Sequence, residues 1–176
     1  MKPSPVKHLT LSAMCISIMI ICAWLTVPAP IPFTMQTFAV FAVLGVLGGK
    51  YGTVCVCAYI LLGAFGLPVF SGFSGGVGVL LGPTGGYLLG FVVMALFFWF
   101  CQRRFGESER VYLLSCGIGM GLCYLLGTLW YVFVYLQSGA VSLGAALLAN
   151  VVPFIIPDGL KLGLALTVRR RLKDYI

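Results

Sequence analysis

Between residues 9 and 168, charge is confined to Lys50, the segment 102–110 and one internal pair, Asp158 and Lys161. That scarcity constrains the fold more than any motif does. The chain is 61% hydrophobic and 9% charged, with a mean hydropathy of +1.09, whereas soluble domains carry about 25% charged residues. A helix that crosses a bilayer needs about 20 mainly apolar residues. The polar interruptions divide the chain into six such stretches, at about residues 9–27, 35–49, 51–66, 85–101, 111–136 and 143–168.

These stretches lack the alternating pattern of barrel strands, and backbone exposed to lipid must satisfy its own hydrogen bonds, so helices are the expected form. The expectation is an all-α integral membrane bundle of six transmembrane helices, folded as one domain over residues 1–176. Alternate prolines at 28, 30 and 32 stop the first helix, because proline lacks the N–H that continues it. Pro153 and Pro157 predict a kink or break in the sixth, where Asp158 begins its inner half. Gly82, Gly86 and Gly90 recur every fourth residue and predict a bare stripe for close helix approach at the start of the fourth span. The uncharged, glycine-rich connection 67–84 is tethered by prolines at both ends and reads as an outer lid.

Lysine and arginine occur before the first stretch, at Lys50, at 103–110 and after the sixth, but in none of the alternate connections 28–34, 67–84 and 137–142. The positive-inside rule therefore places both termini in the cytoplasm. The net charge of +7 is a topology signal directed at the lipid bilayer, and short cationic clusters at membrane edges do not indicate nucleic acid.

Several chemistries are excluded. The first apolar stretch is longer than the 7–15 residues typical of a cleaved signal peptide, so it reads as a retained helix. Seven cysteines within or beside spans read as buried thiols rather than disulfides, and a single histidine makes a metal site improbable. Gly72-Phe73-Ser74-Gly75-Gly76 matches a serine-nucleophile pattern, but a serine needs a base. The one histidine, His8, belongs to the opposite side of the membrane. No G-K-[ST] sequence ends this loop, so it is not an ATP-binding P-loop. The chain reads as a protein without enzymatic activity or cofactor.

Asp158 and Lys161 project from one helix face. Counting back from Arg169 at 1.5 Å per residue, they lie about 16 and 12 Å above the inner boundary of a core about 30 Å thick. Charges at that depth cost several kcal/mol unless they face a bundle interior, and they mark functional sites by default. The alternative is a structural pair in a membrane assembly protein. An interrupted helix at mid-depth favours a small-molecule site, and the outward side offers no ring of like charges for a channel.

Four runs carry a resemblance: Ile31-Pro32-Phe33-Thr34-Met35-Gln36-Thr37-Phe38, Leu62-Gly63-Ala64-Phe65-Gly66-Leu67-Pro68-Val69-Phe70, Gly78-Val79-Leu80-Leu81-Gly82-Pro83-Thr84-Gly85-Gly86-Tyr87 and Asp158-Gly159-Leu160-Lys161. Together they resemble the successive signatures of the BioY family, the biotin-binding S components of energy-coupling-factor (ECF) transporters, over the whole chain. The resemblance implies high-affinity capture of biotin in a bacterial cytoplasmic membrane, alone or with a transmembrane T component and two ATPase subunits. It assigns substrate binding to Asp158 and Lys161, a lid to residues 71–78 with Ser74, Gly75 and Gly76, and an entrance to Pro32, Phe33 and Gln36. Thr84 and Tyr87 follow from the Gly-Pro-Thr-Gly-Gly-Tyr run. Tyr124 and Trp130 are candidate apolar walls. Ala13 and Ser17 stand at the four-residue spacing with which the family's first helix meets the T component, with serine where alanine is usual. The lid carries no asparagine.

Biotin offers two ureido N–H donors, a ureido carbonyl, an apolar thioether ring and chain, and a carboxylate. Asp158 suits the N–H groups while Lys161 suits the carbonyl; the alternative sets Lys161 against the carboxylate. Another vitamin of similar size is the competing ligand. The ureido arrangement predicts that neutralising the carboxylate weakens binding less than altering the ureido group, as measured by competition with labelled biotin; the opposite ranking reverses the ligand.

Overall fold

The computed structural model describes residues 5–28, 32–136 and 143–172. Among them are seven α-helices: α1 (Pro5–Trp24), α2 (Gln36–Ala64), α3 (Val77–Leu81), α4 (Gly85–Phe105), α5 (Glu109–Leu136), α6 (Leu143–Asn150) and α7 (Val152–Leu172). A two-residue ladder, β1 (Thr26–Val27) against β2 (Phe33–Thr34), closes the turn after α1.

The helices face their polarity inward. Ile18, Leu61, Phe100, Leu114 and Ile156 are exposed on the flanks, while Gln36, Thr37, Thr53, Ser115, Thr128, Asp158 and Lys161 are buried. A solvent of lipid reverses the usual penalty, since an outward leucine costs nothing there and an outward charge does. Five helical stretches are long and apolar enough to cross a membrane among the described residues, with α6 and α7 together forming one of them.

One of the five, α2, is not a single rod. At Gly48 the backbone leaves helical space, with φ 72° and ψ 177°, a conformation open essentially to glycine alone. A Cβ on Gly52 would stand 3.1 Å from the Cα of Leu44, although eight residues of straight helix span about 12 Å. Gln36 Nε2 likewise donates to the Tyr59 hydroxyl at 2.8 Å. Residues 36–47 and 49–64 are therefore antiparallel arms. The first arm is about 18 Å long at 1.5 Å per residue, in keeping with the short second stretch read from sequence. The reversal exposes a helix-terminal N–H at Gly49, which the Gln102 side-chain oxygen accepts.

With α2 folded, the polar turns gather at one end. His8 stacks on Tyr51 with ring centroids 4.3 Å apart. Gln102 bridges Gly49 and Glu107, and Arg170 forms a fork with Glu109 at 2.6–2.8 Å. The described ends of α1 and α7 thus share the basic end of the bundle. The opposite end holds the β1–β2 ladder and residues 66–84, pinned by two indoles: Trp24 Nε1 donates to the Pro68 carbonyl at 2.9 Å and Trp130 Nε1 to the Gly82 carbonyl at 2.8 Å.

The structure differs from the sequence reading in four places. The first helix ends at Trp24, short of residue 27, because Thr26 and Val27 enter the ladder; residues 29–31 of the proline run and 137–142 lie outside the described residues. The last membrane segment breaks at Val151, between α6 and α7, rather than at its prolines. Pro153 occupies the first turn of α7, where its missing donor is not needed, and α7 continues through Pro157. Gly86 and Gly90 do form the close approach, against α5, but Gly82 precedes α4 and abuts its own loop at Gly78 and Val79. The connection 67–84 is structured, with a 3-10 turn at Ser71–Phe73 and α3. The cysteines are free thiols, six of them buried and Cys57 half-buried.

A Cβ on Gly90 would come 2.7 Å from the Cys123 sulfur and 3.0 Å from its Cα, whereas one on Gly117 meets nothing within 4 Å. Gly90→Ala is expected to cost about 1–3 kcal/mol by overpacking, and Gly117→Ala to be neutral or slightly stabilising through helix propensity. Thermal unfolding in detergent checks both.

Candidate functional site

Asp158 and Lys161 lie one turn apart on α7, only 5% and 4% exposed. Their side chains pair at 2.7 Å. Each is held further by another element. Tyr124 of α5 donates its hydroxyl to Asp158 Oδ2 at 2.6 Å. Lys161 Nζ donates to the backbone carbonyl of Thr34 at 2.8 Å and the Thr37 hydroxyl at 3.4 Å, and lies 4.1 Å from the centroid of the Phe33 ring. The β1–β2 ladder and the Met35 turn make this possible by bringing an unused carbonyl to the top of α2.

The two partners are not equally satisfied. A lysine ammonium has three donors, and Lys161 spends all three on Asp158, Thr34 and Thr37. A carboxylate has about four acceptor positions, and Asp158 accepts two hydrogen bonds, from Tyr124 and Lys161. The spare capacity is therefore acceptor capacity, on Asp158.

That capacity borders a cavity. About 640 Å³ of atom-free space, open solvent at the mouth included, lies between α2, α4, α5 and α7 and beneath residues 70–84. Asp158 and Lys161 form its charged wall, Leu88, Phe91, Met120 and Phe154 its apolar ones. The cavity lies toward the end of the bundle remote from the basic turns.

Of the residues singled out from sequence, Asp158, Lys161, Gln36, Thr84, Tyr87, Tyr124 and Pro32 line this cavity. Tyr124 is more than an apolar wall, since it hydrogen-bonds the key carboxylate. Tyr87 is braced by the Thr128 hydroxyl at 3.1 Å. Phe33 is not on the wall and instead lies against the Lys161 ammonium. Ser74, Gly75 and Gly76 are not brought to the cavity: the Ser74 hydroxyl donates to the Ser71 carbonyl, and the Gly76 N–H to the Gly63 carbonyl. From the lid, Phe70, Ser71 and Val79 reach the wall. Trp130 ties the lid to α5 without lining the site. Ala13 and Ser17 lie on the exposed face of α1, and the Ser17 hydroxyl turns back to the Ala13 carbonyl at 3.0 Å.

Sequence reasoning missed Thr34 and Asn150. The Thr34 contribution is a backbone carbonyl, which no side-chain pattern reveals. Asn150 stands in an alanine- and leucine-rich segment whose only polar group it is between 143 and 152, and that isolation was the available signal. His8 and Ser74 sit at opposite ends of the bundle, and no group of metal-ligating side chains occurs among the described residues.

An inward-polar helical bundle with a cavity beside a buried charge pair defines a membrane protein built to hold a small polar solute. The comparisons with known proteins give the family. A model of the BioY family matches residues 1–176, and the chain belongs to that family. It is 44% identical over 158 residues to the biotin transporter BioY of Thermotoga maritima, covering 89% of this chain and 90% of that protein. It is 34% identical over 168 residues to a probable biotin transporter BioY of Pyrococcus horikoshii, covering 95% and 96%. A crystal structure of the S-component for biotin from an ECF-type ABC transporter superposes with a TM-score of 0.84 at 32% identity, covering 96% of this chain and 92% of that one. The fold is the S-component fold, and the protein is a multi-pass membrane transporter rather than an enzyme.

Removing one member of a buried pair strands the other charge, typically at a cost of about 3–5 kcal/mol, whereas replacing both with apolar groups is far milder. Lys161→Met is therefore expected to destabilise the protein more than Asp158→Leu/Lys161→Met together. Thermal unfolding of the two variants in the same detergent measures the difference; equal or additive losses would contradict the coupling.

Proposed function

We propose that this protein captures biotin from the outer side of a bacterial cytoplasmic membrane and mediates its uptake. The whole chain forms one domain that crosses the membrane six times, with the two arms of α2 as separate passes and both termini cytoplasmic. The gathering of His8, Lys50, Gln102, Arg103, Arg104 and Arg170 at one end supports this orientation through the positive-inside rule. The transport cycle draws on an ECF T component and two ATPase subunits, or proceeds without them. The exposed face of α1 at Ala13 and Ser17 is the docking surface for the T component.

The observation that carries the reading is the spare acceptor capacity of a buried carboxylate on the wall of a largely apolar cavity. Biotin's ureido N–H groups supply the missing donors. Its thioether ring and chain fit the apolar walls, where burial is worth about 25 cal/mol per Å². Phe70, Ser71 and Val79 roof the site, and their segment opens for entry while Trp24 and Trp130 hold its two ends.

Binding of labelled biotin to the detergent-purified protein tests the proposal. The wild type is expected to bind tightly, and monodisperse Asp158→Asn to bind at least tenfold more weakly, as befits lost hydrogen bonds to a charged group worth about 1.5–3 kcal/mol; Lys161→Met is expected to weaken binding as well, by removing the partner that positions Asp158. Equally poor binding by all three would overturn it, and success with a different vitamin would redirect it.

A further inference from the structure

We infer that Asn150 is a second polar reader of the ligand, donating its side-chain N–H to the carboxylate at the far end of the molecule whose ureido group faces Asp158. The inference rests on the biotin reading above. Asn150 is the last residue of α6 and lines the cavity, 3% exposed. Its amide nitrogen is shut off from solvent and has no hydrogen-bond partner. A buried donor left unmade costs about 1–3 kcal/mol, and such groups are rare in folded proteins. The only other buried polar side-chain atom in that condition among the described residues, on Arg169, lies at the basic end, against Tyr112 and away from the cavity.

Position fixes what Asn150 reads. From the start of α7 at Val152 to Asp158 is six residues, or about 9 Å along the helix, and Asn150 sits just beyond that start, on the outward side. A ligand anchored by N–H donors at Asp158 and extended along α7 therefore brings its other end to Asn150. The cavity needs a donor-bearing group at its inner end and an acceptor-bearing group at its outer end, with apolar matter between. Lys161 cannot serve the outer acceptor, because its three protons are committed and it lies one turn deeper than Asp158. An uncharged amide also reads a carboxylate without adding a second cation to a site already neutral.

The test crosses two ligands with two variants. Biotin is compared with an analogue ending in methyl in place of the carboxylate, using competition binding on purified wild type and Asn150→Ala. The wild type should prefer biotin, and Asn150→Ala should bind biotin about tenfold or more weakly, the scale of a hydrogen bond to a charged group, while its affinity for the methyl analogue stays within about twofold. Equal losses for both ligands, or none for either, would overturn the inference and leave the biotin reading intact. Failure of the wild type to bind biotin would overturn both. Should Asn150→Ala not yield folded protein, Asn150→Asp serves: it should reject biotin and favour an analogue ending in an amine, and an unchanged preference for biotin would equally refute the assignment.

Discussion

A carboxylate and an ammonium held at 2.7 Å inside a lipid-facing bundle govern how the rest of this structure must be arranged. Both side chains are buried, so each draws its polar partners from the protein. The Thr34 carbonyl and the Thr37 hydroxyl come from one turn of chain and the Tyr124 hydroxyl from another, about ninety residues on. The ladder after α1, the folded α2 and the outer half of α5 converge on one turn of α7. An apolar pair would need none of these partners and is often no less stable.

Convergence requires helices closer than side chains ordinarily permit. Gly86 and Gly90 let α4 lie against α5, and the positive φ at Gly48 lets α2 double back within the bundle. The same choices leave a space under residues 70–84 instead of closing it. With Tyr59 donating to the Val69 carbonyl and accepting from Gln36, the lid base is fastened to the folded α2, so the wall that fixes Lys161 and the roof over the cavity belong to one polar network.

Much of this was legible in the residues. The charge pattern marked the apolar helices and the gathering of basic turns at one end, and the isolation of Asp158 and Lys161 marked a buried pair on the cavity wall. Where reading failed, the cause was physical. The prolines predict an interruption where Asp158 begins, but Pro153 takes the first turn of α7 and the helix runs on through Pro157, so the break falls at Val151. The lid was read from its glycines. Yet Gly75 abuts the backbone of Gly66 and Leu67 and the Gly76 N–H donates to the Gly63 carbonyl, and it is the bulkier Phe70, Ser71 and Val79 that face the cavity. Backbone contributions such as the Thr34 carbonyl leave no side-chain trace at all.

The central claim is that the Asp158 side chain receives hydrogen bonds from the solute. Infrared difference spectroscopy on the detergent-solubilised protein measures this directly. On adding biotin, the account predicts a shift of a carboxylate stretching band that is present in wild type and missing in Asp158→Asn. Saturating biotin that leaves the protein carboxylate bands unchanged would contradict it.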